Sequence, residues 1–287
     1  MQLPSFLGIG VQKAGTSWLH KQLSRHNEIY VPSLKKEVHF FDNNYDKGAD
    51  WYASHFPCDE IGDNIKAVGE ITPKYMCTPE APSRINSVLG KVPMIVIVRN
   101  PVDRLYSQYR MAYTKGRFNK SIESFAKNRS SVFERGLYAR QLKNYLEYFD
   151  MENILILVYE EVFSSKEAKR AALDSVGRHI GVDPEQFGSA PAGAGDQDVV
   201  GSEASSGRPR FLRAYQKALE IQSWMINKNM NGLLKAIKKT GISKRSFGEP
   251  TPPPEMTPAQ RAWIWSMYEP DVEELEAMLG RRLTAWR

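Results

Sequence analysis

Residues 8–20 read GIGVQKAGTSWLH, and the placing of one lysine between two glycines in this stretch decides how the rest of the chain is understood. Gly10 and Gly15 have the separation of a phosphate-binding loop, with four residues between them. In the nucleoside-triphosphatase form, G-x-x-x-x-G-K-[ST], the lysine follows the second glycine; here Lys13 precedes it, and Thr16 and Ser17 follow. The apolar run FLGIGV over 6–11 predicts a buried strand ahead of the loop, and 17–26 predicts a helix behind it. Backbone N–H groups at the head of that helix can hold an anion, with Gly15 permitting close approach and Thr16 and Ser17 adding hydroxyl donors. The plainer alternative is a glycine turn that only joins strand to helix.

The same alternation continues outward from the loop. AVGEI (67–71), MIVIV (94–98) and ILILVY (154–159) are continuous apolar runs; a stretch near 80–89 between the first two reads as a helix, and ILILVY follows a helical region and precedes another at 165–180. Strands covered on both faces by helices have this appearance, so the pattern predicts an α/β three-layer sandwich around a central parallel sheet. Ligands of such folds gather at the carboxyl ends of the strands, which is where residues 12–17 lie.

A triphosphate loop needs a Ser/Thr and an acidic partner to hold Mg²⁺. The displaced lysine fits another group better: a sulfuryl joined to a phosphate, with Lys13 stabilising the charge that develops on the leaving phosphate without a metal. A second stretch, IVIVRNPVDRLYSQY (95–109), sets Arg99 at a strand end, Pro101 at a first helical position and Ser107 on the helix that follows. Arg99 can take a phosphate through two parallel hydrogen bonds and Ser107 can add a hydroxyl. Seen alone, an arginine at a strand end is as readily a surface ion pair.

Composition limits the alternatives. The 287 residues, 41% of them hydrophobic, are enough for one large α/β domain. Lys and Arg outnumber Asp and Glu by 39 to 33, a bias that suits an anionic ligand without calling for nucleic acid. Cys58 and Cys77 cannot build a disulfide framework, and the amino terminus MQLPSFLGIGV has neither a basic leader nor a long apolar segment. No run is long enough to span a bilayer, and together these features predict a cytoplasmic chain with no integral membrane segment. His20, His26, His39, His55 and His179 are scattered and the cysteines lack C-x-x-C spacing, so no metal site is expected. No G-x-S-x-G elbow supports a serine hydrolase.

Together the loop and the Arg99–Ser107 stretch resemble the sulfotransferases that use 3′-phosphoadenosine 5′-phosphosulfate. The resemblance implies that Lys13, Ala14, Gly15, Thr16, Ser17 and Trp18 hold the 5′ end of this co-substrate, and Arg99 and Ser107 its 3′-phosphate. KEVHFFD at 36–42 looks like the segment of the heparan sulfate sulfotransferases and their bacterial relatives whose glutamate is the base on the acceptor, which implies that role for Glu37. WYASHFP, GEITPKYM, SIESFAK and LEAMLGRRLTAW are similar to the same branch. Two departures stand out. Ile71 occupies the place of a lysine common in the E-K-T-P stretch, with Lys74 beyond Pro73, and SSGRPR replaces a Lys-Gly-Arg run. Gly207 and Arg208 are kept there as cofactor-binding residues, and Ser206 stands where the lysine would be.

Without the resemblance, Glu37 after two lysines reads as a solvated carboxylate; with it, Glu37 is the general base. His39 either shares or orients the proton or packs, and Glu70 at a strand end is a reserve base or half of an ion pair. The reading is one sulfotransferase domain over 1–287 that acts on a carbohydrate or small-molecule hydroxyl or amine. A P-loop kinase and a non-catalytic nucleotide-binding module are the alternatives. Residues 185–256, Gly/Ala/Ser-rich and then basic, are expected to form a loop and helical lid on the acceptor side, an anionic-acceptor groove or a membrane-surface element. TPPPEMTP at 251–258 leads into a last helix in which Trp263, Met267 and Leu275 are expected to pack as core.

Overall fold

A computed structural model describes residues 2–32, 36–56, 62–187 and 252–287. The strands are β1 (Phe6–Gly10), β2 (Ile29–Tyr30), β3 (Ala67–Ile71), β4 (Met94–Val98) and β5 (Ile154–Val158). The helices are α1 (Thr16–Leu23), α2 (Phe40–Asn43), α3 (Gly48–Ala53), α4 (Ala81–Leu89), α5 (Pro101–Thr114), α6 (Ile122–Asn128), α7 (Ser130–Glu134), α8 (Tyr138–Leu146), α9 (Tyr159–Val162), α10 (Lys166–Ile180) and α11 (Pro258–Leu279).

The chain divides into two compact units. The first comprises Met1–Arg104, Ser131–Val200 and Trp265–Arg287, and the second Leu105–Ser130 and Gly201–Ile264. The first contains a five-stranded sheet in the order β2-β3-β1-β4-β5. All four pairings are parallel. Every residue of β1, β3 and β4 is buried, which is why these strands read as unbroken apolar runs. β2, only two residues long at the sheet edge, leaves no such signature.

The element ends follow local chemistry. The Asn100 side chain caps α5 by accepting from the N–H groups of Val102 at 3.0 Å and Asp103 at 3.3 Å, and Pro101 fills the first helical position, where no N–H is needed. Ser165 caps α10 and Gly181, at φ 77°, ends it. Helix α1 stops at Leu23, short of the expected His26, because Arg25 and His26 turn their N–H groups to the carbonyls of Gln22 and Leu23.

Along α11 the buried side is Ile264, Tyr268, Val272 and Leu275 at helical spacing. Of the three residues expected in the core, only Leu275 is there; Trp263 and Met267 lie on the neighbouring, half-buried face. In the second unit, the Tyr106 hydroxyl donates to the Pro254 carbonyl at 3.1 Å and the Gln260 amide to Glu123 at 2.7 Å.

Candidate active site

The loop between β1 and α1 leaves the carboxyl end of a central strand and turns through two left-handed residues, Lys13 at φ 75° and Gly15 at φ 84°. Gly15 is required twice over. Its φ disfavours any side chain, and a Cβ there would stand 2.8 Å from the Phe163 ring. Ala14 is fully buried and its N–H closes a turn onto the Val11 carbonyl at 3.3 Å. Trp18, 5% exposed, packs edge-on against Phe163 at 5.0 Å and anchors α1 in the core. Thr16 is nearly buried and Ser17 is exposed.

Arg99 stands beside this loop. Its Nη1 donates to the Lys13 carbonyl at 2.9 Å, and its guanidinium lies 4.5 Å from the centre of the Tyr159 ring. Tyr159 in turn packs on Phe163 at 4.5 Å, the ring that abuts both Gly15 and Trp18. One aromatic wall thus joins the loop after β1 to the arginine after β4. Ser107, in the second unit, is half-buried on α5. Gly207, Arg208 and nearly all of 185–256 lie outside the described residues.

The segment before α2 supplies the carboxylate side. Glu37 Oε2 is 3.2 Å from His39 Nε2, and His39 Nδ1 is 2.9 Å from Asp42 Oδ2. Lys74 completes the row, 3.1 Å from Asp42 and 2.8 Å from Asn43 Oδ1. A hydrogen bond to Asp42 and another to Glu37 raise the His39 pKa to about 9. Burial opposes the charge of Asp42, yet hydrogen bonds from His39 and Lys74 hold its carboxyl below the usual range. Both carboxylates therefore favour the charged form of the imidazole, which stands between Glu37 and Asp42.

Since the folded pKa of His39 lies above its ordinary 6.5, the stabilisation it gives is fully present below pH 6.5 and is lost as pH rises through about 9. Thermal melts of wild type and His39→Gln are expected to differ by a constant amount below pH 6.5 and to converge above 9. A difference independent of pH would show that the ring is not held as a cation.

Glu70 makes no ion pair among the described residues. It is fully buried on β3 and accepts from the hydroxyls of Tyr75 at 2.6 Å, Thr72 at 2.6 Å and Tyr52 at 3.0 Å, and from the Val38 N–H at 3.3 Å. Burial raises its pKa against those hydrogen bonds. This carboxyl pins the 36–40 segment to the sheet and so positions Glu37. The Ile71 side chain, also fully buried, packs against Gly8, so this position faces the core.

Two side chains at the site, Asp42 and Lys36, have no assigned role in the sequence, since nothing local to KEVHFFD distinguishes them. In the structure Lys36 Nζ donates to Ser17 Oγ at 3.0 Å and Thr16 Oγ1 at 3.4 Å, and lies 4.0 Å from Glu37. It links the anion loop to the carboxylate. Lys36, Arg99 and the hydroxyls of Thr16 and Ser17, all at the loop, are donors suited to a phosphate or sulfate group.

Comparison with known proteins agrees with this chemistry. The sulfotransferase domain family matches residues 3–173. Human heparan sulfate glucosamine 3-O-sulfotransferase 3B1 is 36% identical over 172 residues, 57% of this chain and 43% of the relative, so the chain matches less than half the length of that protein. The membrane-associated sulfotransferase kil1 of Dictyostelium discoideum is 38% identical over 119 residues, 42% of this chain and 25% of the relative. Among solved structures, a sulfotransferase from Alicyclobacillus acidocaldarius superposes with a TM-score of 0.68 at 24% identity, covering 100% of both chains, and shares the fold.

The cytoplasmic placement expected from the cysteines and the amino terminus is corrected by these relatives, since one of them is membrane-associated by name. Cysteine count and the composition of the first residues do not assign a compartment in this family. Among the described residues, no helix is long and apolar enough to cross a membrane.

Proposed function

The chain belongs to the sulfotransferase domain family, and from that premise we propose that it moves a sulfuryl group from 3′-phosphoadenosine 5′-phosphosulfate to a hydroxyl or amine of a carbohydrate or small-molecule acceptor. One observation carries the reading: Lys36 bridges the Ser17 hydroxyl at 3.0 Å and the Glu37 carboxylate at 4.0 Å, so the anion loop and a candidate base share one site within the first unit.

In this reading the loop around Lys13, Gly15, Thr16 and Ser17 receives the 5′-phosphosulfate, while Ala14 and Trp18 set its shape from beneath. Glu37 takes the acceptor proton as the acceptor oxygen or nitrogen bonds to sulfur. The bond from sulfur to the 5′-phosphate oxygen breaks, and its electron pair leaves with adenosine 3′,5′-bisphosphate. Lys13 stabilises the charge that collects on that phosphate. The His39 cation, held by Asp42, keeps Glu37 in place.

Heparan sulfate is the acceptor named for the human relative. Here position 71 is a buried isoleucine and Lys74 is engaged with Asp42 and Asn43, which supports an acceptor chosen by other contacts.

Arg99, within the first unit, is assigned to the 3′-phosphate. Arg99→Ala is expected to weaken binding of adenosine 3′,5′-bisphosphate by about 1.5 to 3 kcal/mol, the range for hydrogen bonds to charged groups, and to change adenosine 5′-phosphate binding little. Titration calorimetry with both nucleotides checks this. Because Arg99 also braces the Lys13 carbonyl, equal losses for the two would assign it to holding the loop and not to the 3′-phosphate.

A further inference from the structure

Lys36 sits closer to the loop hydroxyls than a base-side residue needs to. Its Nζ makes hydrogen bonds to both hydroxyls of the anion loop, Thr16 Oγ1 at 3.4 Å and Ser17 Oγ at 3.0 Å, while Glu37 stands 4.0 Å away on the other side. The ammonium is therefore within reach of both the groups assigned to the donor and the group assigned to the acceptor. Its surroundings are built and not incidental: the following residue, Val38, donates its N–H to the buried Glu70, and Phe40 donates its N–H to the Tyr75 hydroxyl at 2.8 Å. Both anchors fix the backbone from which Lys36 reaches back over α1.

We propose that Lys36 is a catalytic residue that holds the oxygens of the sulfuryl group itself, a second cation distinct in its task from Lys13. This rests on the sulfuryl-transfer reading above. With the loop hydroxyls turned to the nucleotide, the Lys36 ammonium exchanges its contacts to Thr16 and Ser17 for the non-bridging sulfuryl oxygens, and it keeps them as sulfur passes from phosphate oxygen to acceptor. An ammonium is suited to this because it is a compact charge with three donors on a flexible stem, able to follow a moving group where a rigid guanidinium fork cannot. Burial presses its pKa down, so it gains from an anion at the loop as well as offering charge to it. Lys13 acts on the leaving phosphate; Lys36 acts on the group in flight.

The two tasks predict opposite nucleotide preferences, and binding measurements need no knowledge of the acceptor. Calorimetry would compare 3′-phosphoadenosine 5′-phosphosulfate with adenosine 3′,5′-bisphosphate, on wild type, Lys36→Met and Lys36→Arg. Only the first nucleotide carries the sulfuryl group. Lys36→Met is expected to weaken it about ten- to a hundredfold while adenosine 3′,5′-bisphosphate stays within about threefold, and Lys36→Arg is expected to restore part of the loss. Lys36→Gln serves in the same comparison if the methionine variant does not fold. Equal losses for the two nucleotides, or none for either, would overturn the assignment. If wild type binds neither nucleotide, the sulfuryl-transfer reading fails instead, and the two failures are told apart on the unmodified protein.

Discussion

Glu37→Gln is expected to lower turnover by about 10²- to 10⁴-fold while leaving affinity for adenosine 3′,5′-bisphosphate within about threefold. A neutral hydroxyl is a poor nucleophile, so the proton must leave as the new bond to sulfur forms, and a positioned carboxylate supplies that step. Glutamine keeps the size and much of the hydrogen bonding of Glu37 but cannot accept the proton. The fall should appear in kcat and in kcat/KM together, the mark of an interaction made only in the transition state. His39→Ala should cost less, because the ring orients the base from 3.2 Å and does not take the proton. A comparable fall in both variants would mean that Glu37, His39 and Asp42 act as one unit. Near-normal turnover of Glu37→Gln under conditions where chemistry limits the rate would remove the base assignment.

The parts of this molecule that sequence made legible are those whose signal is local. β3 and β4 match their apolar runs residue for residue, because burial on both faces leaves no alternation to confuse the reading. The loop from Lys13 to Ser17 was legible because its glycine spacing is a local signal, and Gly15 suits the φ of 84° that the turn takes there. Long-range placement was not legible. Lys36 has no local signal in the sequence, yet its Nζ reaches Ser17, nineteen residues away along the chain, at 3.0 Å, and Thr16, twenty residues away, at 3.4 Å. Glu70 at a strand end looked like a base; three hydroxyls and one N–H, drawn from Tyr52, Thr72, Tyr75 and Val38, make it a buried anchor. Arg104, five residues past Arg99, has the composition of another phosphate cation, yet it is fully buried and donates to the Val132 carbonyl at 2.7 Å. Periodicity locates elements but says little about which polar side chains the packed elements bring together.

Lys13→Met is expected to lower turnover by about 10²- to 10³-fold, the loss that follows removal of one preorganised donor aimed at developing charge. The argument rests on where the charge goes. Bridged to sulfur, the 5′-phosphate carries less charge than it does once the bond is broken, so a cation beside it binds the departing phosphate more strongly than the intact donor. That difference is what accelerates the step, since an interaction equal in ground and transition states lowers KM without raising kcat. Lys13→Met should therefore depress kcat with little change in the KM for the donor, and should weaken adenosine 3′,5′-bisphosphate more than 3′-phosphoadenosine 5′-phosphosulfate. Lys36→Met should show the reverse preference. The Lys13 backbone, at φ 75° and braced through its carbonyl by Arg99, is not altered by a side chain of similar length, so the loop should survive the substitution. Calorimetry on the two nucleotides together with single-turnover rates separates the possibilities. If Lys13→Met loses both nucleotides equally and its rate follows occupancy, Lys13 only binds, and the charge of the leaving phosphate must be met by the backbone N–H groups at the head of α1.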